Sequence, residues 1–358
     1  MGDVIKPDSP PTPARCKQYD LFTEFYGDGE YSNTAELWDA MPKNAVTARR
    51  QSAMRDANGR LPMFEHSFTH ASKAYRIELL PALIREEDGS VRDYYPSMDE
   101  ELVEEVLRKF FADARFGQHD AQEAESWVRF TLSMVRKELK AKGRTRSINE
   151  IKRSLEIMSR CTINLYVGTS KEPAFSGSIF SDVLRVTRQA YIEDGKSMWA
   201  ARLPVLLSTG VNQATYRQFN YGVLMALEGQ LARYLHKRLS HRFTNAGTLQ
   251  TYRIRFSTLQ QDSGLLTRKR ISENVKTVDA ALDELVAAGV LMRWTKEEER
   301  GARNHLQDAT YTFYPSQTFI AEMRAMNKRH EMIDVELGKR ERPKRLGSGQ
   351  RRERGATY

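Results

Sequence analysis

The sequence predicts an α+β chain in which one helix–strand unit occurs twice, and three observations carry that prediction. Ile148, Ile151, Leu155, Met158, Ile163 and Leu165 recur as Val275, Val278, Leu282, Leu285, Val290 and Met292, at a constant shift of 127 residues (148 to 275, 165 to 292). In each copy the first four apolar positions have the spacing of one helix face, and the last two alternate as in a strand. The match extends upstream, where Phe130-Thr131-Leu132 and Phe256-Ser257-Thr258 each read as a strand end leading into a short helix. Finally, 56 Lys+Arg against 47 Asp+Glu give a formal charge of +9, a balance suited to a polyanionic partner. A helix running straight into a strand, with a wing-like loop beyond, is the second half of a winged-helix unit. Two in tandem in a basic chain predict paired winged-helix DNA-binding domains that grip a duplex.

The elements are read in chain order. Residues 1–60 are expected to form a flexible, disordered N-terminal arm, because prolines 7, 10, 11 and 13 and Gly27-Asp28-Gly29 interrupt regular structure. A first winged-helix domain is expected over 61–200, a second over 201–335, and a basic disordered tail over 336–358. Phe64, Phe68, Tyr75, Ile77 and Leu79 alternate with polar residues, predicting a hairpin or meander over 64–95. Asp99 to Arg115 reads as an acidic amphipathic helix with Leu102, Val106, Phe110 and Phe111 on its apolar side. The first helix-turn-helix spans Phe130 to Arg160, with a capping box at Ser147 and Glu150. A Gly/Ser/Pro wing over Val167 to Ser178 follows it.

Leu203, Val205, Leu206, Leu207 and the Tyr216, Phe219, Tyr221 cluster predict a packed connection across 189–220. One long helix is expected from Tyr221 to Arg238. The second helix-turn-helix spans 257–289, with Ser257 and Gln260 as a capping box and Asp262-Ser263-Gly264 as the turn. A charged wing over Glu297 to Asp308, a return strand at Tyr311 to Phe313 and a last helix near 317–334 complete it.

Helical geometry selects the side chains that would face DNA. Opposite the apolar face of the second long helix lie Lys269, Glu273, Lys276, Thr277 and Ala280, with Arg268 and Arg270 at its start and Asn274 beside them. The first unit presents Arg146, Asn149, Lys152 and Arg153. The candidate DNA-binding set is therefore Arg146, Asn149, Lys152, Arg153, Arg268, Lys269, Arg270, Asn274, Lys276 and Thr277. Arg and Lys suit guanine or phosphate and Asn suits adenine or backbone, while a plain solvated helix face would carry the same residue types. Arg233, His236, Lys237, Arg238, His241 and Arg242 form a second cationic group, open either to phosphate binding or to complementing a helix C-terminus.

Other chemistry is not called for. Gly195-Lys196-Ser197 lacks the upstream glycine of a Walker A loop, since Ala190 stands there. His66 and His70 fall in a strand-like segment and make no helical metal pair, and Cys16 and Cys161 have neither metal-ligand nor disulfide spacing. Cys161 is expected in the core. Paired carboxylates are expected on amphipathic exteriors. No enzyme activity, cofactor or metal is expected. The absence of an apolar stretch long enough for a bilayer, and of a signal-type N-terminus, predicts a cytoplasmic protein with no membrane partner.

Tyr216-Arg217-Gln218-Phe219-Asn220-Tyr221, Leu231-Ala232-Arg233-Tyr234-Leu235, Asp262-Ser263-Gly264-Leu265 and Ala281-Leu282-Asp283-Glu284-Leu285 resemble the plasmid replication initiators of the Rep/TrfA type. The resemblance covers roughly 16–315 and is strongest from Leu203 to Trp294. It implies a bacterial protein that binds direct repeats (iterons) in double-stranded origin DNA and helps open an AT-rich segment into single-stranded form. It also implies recruitment of the replicative helicase and host initiator, and exchange between a homodimer and a monomer. Gln18-Tyr19-Asp20-Leu21-Phe22 resembles the peptide that docks on the bacterial sliding clamp, with Leu21 and Phe22 as apolar anchors and Gln18 as a hydrogen-bonding handle, although the usual leucine is replaced by Tyr19. Ala40-Met41-Pro42 also resembles the family. The competing expectation is a winged-helix transcriptional regulator or autorepressor, and a third is a relaxase or nuclease.

Overall fold

The computed structural model describes residues 31–86, 88–113, 115–120, 122–186, 198–212 and 216–336. The clamp-like peptide with Gln18, Leu21 and Phe22, and the basic tail, lie outside the described residues.

Strand β1 (Tyr31–Ala35) leads into helices α1 (Glu36–Ala40) and α2 (Ala48–Met54). The expected arm therefore does not run through residue 60. Trp38, Met41 and Val46 are buried, the Trp38 indole donates to Glu104 Oε1 at 2.7 Å, and its ring meets Phe175 edge-on. The dense run of prolines and glycines ends at Gly29, and the apolar side chains of residues 36–54 need a core. The Gln51 amide fixes α2 by donating to the carbonyls of Val46 and Tyr95 and accepting from Tyr95 N–H.

Two hairpins follow, β2 (Phe64–His70) with β3 (Lys73–Leu80) and β4 (Ala82–Arg85) with β5 (Val91–Tyr94). Helix α3 (Met98–Phe111) then crosses the first core. Its acidic face is not solvated as expected, because Glu100, Glu101, Glu104 and Glu105 are all buried. Strands β6 (Gly117–Asp120) and β7 (Glu125–Phe130) precede α4 (Leu132–Ala141) and α5 (Ile148–Arg160). Thr131 caps α4 by accepting from Met134 N–H, and Ser147 with Glu150 forms the expected capping box on α5. Ile151, Leu155 and Met158 enter the core, as does Cys161 at the C-cap. From there β8 (Thr162–Val167) and β9 (Phe175–Gly177) form the wing, with β8 antiparallel to β3 so that Leu165 faces Ile77.

Strands β10 (Asp182–Leu184) and β11 (Trp199–Arg202) add to β7, giving the order β10-β11-β7-β6. Helix α6 (Val205–Asn212) and strand β12 (Tyr216–Asn220), which pairs with β1, form the connection. The packing does not change over at residue 200. Leu203, Leu207, Val211, Tyr221 and Met225 still belong to the first core, whereas Phe219, Leu224 and Leu227 belong to the second.

The single helix expected from Tyr221 to Arg238 is two helices, α7 (Tyr221–Ala226) and α8 (Gln230–Arg242). The break is held from both sides. Arg144, in the α4–α5 turn, donates to the carbonyls of Met225, Ala226 and Leu227, while the Glu284 carboxylate accepts from the Glu228 and Gly229 N–H groups. These contacts satisfy backbone groups that a continuous helix would have paired internally.

The second unit runs β13 (Tyr252–Arg255), α9 (Phe256–Ser263), α10 (Ile271–Ala287), β14 (Leu291–Arg300), β15 (Leu306–Pro315) and α11 (Gln317–Glu336), with strand order β13-β15-β14. Helix α9 begins one residue before Ser257, so the expected capping box does not form. Instead the Ser257 hydroxyl donates to Asp308, and Gln260 Nε2 donates to Leu266 O. Gly264 ends α9 in the left-handed region at φ 64°, with Ala45 and Pro42 close by, a conformation and a space that suit glycine. Val275, Val278, Leu282 and Leu285 face the core as predicted. Met292 does not, because an irregularity between Leu291 and Arg293 turns it out to 60% exposure. Among the described residues, no helix is long and apolar enough to cross a membrane.

Candidate nucleic-acid interface

Each unit thus consists of a helix-turn-helix followed by a β-hairpin wing. In the second unit, Lys269, Arg270 and Lys276 are exposed around the start of α10. Arg268 is also exposed and approaches Glu273 at 3.7 Å. Thr277 is half-buried and its hydroxyl donates to Glu273 O within the helix.

Asn274 is not available to DNA, contrary to the sequence reading. Its side chain is buried, with Oδ1 accepting from Arg268 N–H at 3.0 Å and Nδ2 donating to Arg268 O at 2.8 Å. It pins the turn ahead of α10 and so fixes where Arg268, Lys269 and Arg270 project. A short amide at the margin of a helix face can turn inward when an adjacent loop offers both an N–H and a C=O.

The second wing is tied to the same helix. Lys296 Nζ and the Tyr311 hydroxyl both donate to Asp279, and Trp294 Nε1 donates to Asp283. Burial opposes the Lys296 charge, but its bonds to Asp279 and Glu298 prevail and raise its pKa. The acidic run on β14 is neutralised internally, Glu297 by Arg253 and Glu299 by Arg255.

In the first unit the four predicted positions divide. Asn149 and Lys152 are exposed on α5. Arg146 is held by Asp99, with Nε 3.1 Å from Oδ1. Arg153 bonds to Glu86 and to the Tyr94 hydroxyl, and its guanidinium packs on the Tyr94 ring. Asn149, Lys152 and Arg153 line one wall of a groove of about 730 Å³, and the β4–β5 hairpin makes the other. The hairpin's Arg85 and Arg92 were not among the sequence-derived candidates. Nothing in the alternation of residues 64–95 shows that this hairpin packs on α5.

The second cationic group serves neither phosphate nor, in the main, a helix C-terminus, because its side chains turn inward to buried carboxylates. Arg233, His236, Lys237 and His241 are buried where α8 meets α1 and α3. Arg233 donates to Glu101 at 3.0 Å, and Lys237 Nζ lies 2.6 Å from Glu105, 3.6 Å from Glu101 and 3.8 Å from Asp39. Arg108 donates to both oxygens of Asp39. Burial alone would raise the Asp39 carboxyl, but Arg108, His241 and Lys237 hold it well below the usual range. Glu101 is lowered in the same way, against burial, by Arg233 and Lys237. Burial dominates at Glu105 and raises it. Burial, aided by Lys237, drives His236 down to about 3. Arg238 and Arg242 sit at the margin, bound to Asp262 and Glu36 respectively. Arg233, Lys237, His241 and Arg242 therefore face carboxylates of the first unit, Arg238 is bound within the second, and His236 is buried and neutral, so the group does not form a surface for phosphate.

Two further bonds cross the same seam. Asp262 Oδ1 accepts from Thr69 N–H at 3.0 Å, and His66 Nε2 lies 2.6 Å from Gln261 O. His66 and His70 are thus on strand β2, as expected, with His66 occupied by the neighbouring unit.

No protein-family model matches the chain, and no curated protein matches it. Among solved structures the chain is similar to domains 2 and 3 of RctB, with a TM-score of 0.45 and 10% identity over 77% of this chain and 99% of that one. It is also similar to the Pi initiator protein, solved in complex with iteron DNA, with a TM-score of 0.39 and 9% identity over 62% of this chain and 95% of that one.

Proposed function

We propose that the protein is a plasmid replication initiator that binds direct repeats in its own origin through two winged-helix units. The observation that carries this reading is α10. Its N-terminal end exposes Lys269, Arg270 and Lys276 on a helix held rigidly by its wing and by Asn274, the arrangement a helix needs to enter a major groove. The resemblance of Tyr216 to Tyr221 and of Asp262 to Leu265 to Rep/TrfA initiators directs the reading from DNA binding to origin binding. The finer parts of the proposal are origin opening, recruitment of host helicase and initiator, dimer–monomer exchange, and clamp docking through Gln18, Leu21 and Phe22. The protein acts by binding and not as an enzyme, which a metal-dependent nicking assay on supercoiled origin plasmid checks.

A DNase footprint on the DNA flanking the gene tests the central claim. Regularly spaced protections over direct repeats beside an AT-rich segment are expected. A single protection over a promoter would replace the initiator with a transcriptional regulator. Lys269→Ala with Lys276→Ala is expected to weaken repeat binding by about 1–3 kcal/mol per lost base contact. Unchanged affinity and salt dependence would displace α10 from the interface.

A further inference from the structure

The β4–β5 hairpin belongs to neither helix-turn-helix, yet it stands along the outward face of α5 and makes the opposite wall of the groove described above. Four carboxylates line that groove, two of them neutralised by arginine and two hydrogen-bonded to neighbouring serines. Glu86 is held by Arg153 and the Tyr94 hydroxyl, Asp88 accepts from the Ser90 N–H and hydroxyl, Glu150 accepts from Ser147 N–H, and Glu156 pairs with Arg160 at 2.7 Å. Arg85 and Arg92 on the hairpin and Lys152 on α5 are exposed and form no direct ion pair among the described residues, although Arg92 is close enough to Asp88 to favour its charged form. The groove therefore presents three exposed positive groups, from two separate elements, against two carboxylates, Asp88 and Glu150, that have no cation bound to them among the described residues.

We propose that the hairpin is a phosphate-gripping element of the duplex-DNA interface, with Arg85 and Arg92 holding one strand's backbone against Lys152 of α5. This rests on the proposed function. The aromatic chemistry of the groove favours backbone over bases. The Tyr94 ring is already engaged by Arg55 and Arg153, at 5.1 and 4.7 Å from its centroid, and its hydroxyl by Glu86. No free ring face is offered there for an unstacked base, whereas exposed guanidinium groups suit phosphate oxygens directly. Backbone contacts position a protein without reading sequence, so the hairpin adds affinity and salt dependence and leaves the preferred site unchanged.

The test compares full-length wild type, Arg85→Ala/Arg92→Ala and Arg85→Lys/Arg92→Lys on a duplex of the footprinted repeats and on a scrambled duplex, across a fourfold range of salt. Each lost phosphate contact lowers the slope of log K against log salt by about 0.9. For the alanine variant the affinity lost over that range is therefore expected to shrink by roughly tenfold, equally on both duplexes, while the lysine variant keeps most of the wild-type slope. An unchanged slope in the alanine variant, with wild type binding the repeats normally, would overturn the hairpin and leave the proposed function standing. A changed ratio between the two duplexes would also overturn it, because the hairpin would then be reading bases. Failure of the wild type to prefer the repeats would instead bring down the proposed function, and this inference with it.

Discussion

Replacing Asn274 separates positioning from recognition. The Asn274→Ala change removes two hydrogen bonds, to Arg268 N–H and to Arg268 O, from a side chain only 1% exposed. A net hydrogen bond is worth about 1 kcal/mol, and a backbone group left unpaired where water has little access costs about 1–3 kcal/mol. The variant should therefore lose about 2–4 kcal/mol of unfolding free energy in urea. Because the turn carrying Arg268, Lys269 and Arg270 is freed at the same time, fluorescence anisotropy should show weaker binding to the repeats and to scrambled DNA alike. Asn274→Asp keeps the acceptor but sets a carboxylate against Arg268 O, so it should resemble alanine in stability. The opposite pattern would refute the reasoning: wild-type stability, with discrimination lost at a single base position, would mean that Asn274 points outward and reads DNA.

Lys237→Met should destabilise the protein by about 3–5 kcal/mol, because it takes from buried Glu105 its nearest cation, at 2.6 Å, and leaves it only Arg108 at 3.3 Å. Lys237→Met/Glu105→Gln should recover much of that loss in the same urea titration, and no recovery would mean that the ion pair is not what holds α8 to α3. Trp38→Ala should cost about 3–5 kcal/mol by calorimetry, since the ring is fully buried and the Glu104 bond goes with it. A neutral effect would return residues 36–60 to a loose arm. His236 titrates near 3 in the folded protein against an ordinary value of 6.5. The unfolded chain therefore binds the extra proton first, and stability falls by about 1.4 kcal/mol per pH unit as pH drops below 6.5, down to about 3. His236→Leu should flatten that part of the profile, and an unaltered slope would place a charged imidazole in the fold. Asp39 and Glu101, whose pKa values are lowered, begin to lose their stabilising contribution only as pH falls below the ordinary carboxylate range, so between pH 6.5 and that range the slope reports His236 without them.

What could be read from the sequence was whatever depends on neighbours along the chain. The apolar faces of α5 and α10 follow from helical period, and Ser147 with Glu150 caps α5 because both partners lie within one turn. What could not be read depends on partners far away. Glu101 finds Arg233 132 positions later, so an acidic stretch that looks solvated alone becomes the inside of a joint. The break between α7 and α8 was hidden for the same reason, since leucine spacing continues through it while Arg144 and Glu284 supply the backbone partners from elsewhere. Among the candidate contacts, Lys269, Arg270, Lys276, Asn149 and Lys152 are exposed. Arg146, Arg153 and Asn274 were drawn into internal bonds by Asp99, Glu86 and Arg268, which periodicity cannot anticipate.

The seam between the units also has a consequence for how the chain would come apart. A boundary closed by Arg233, Lys237 and His241 of α8 against Glu101, Glu105 and Asp39 presents, when parted, charged groups that water solvates readily. An oily boundary would instead expose surface that seeks any other oily surface. Here the closed form competes with hydration of those charges, and water is the alternative partner of each of them.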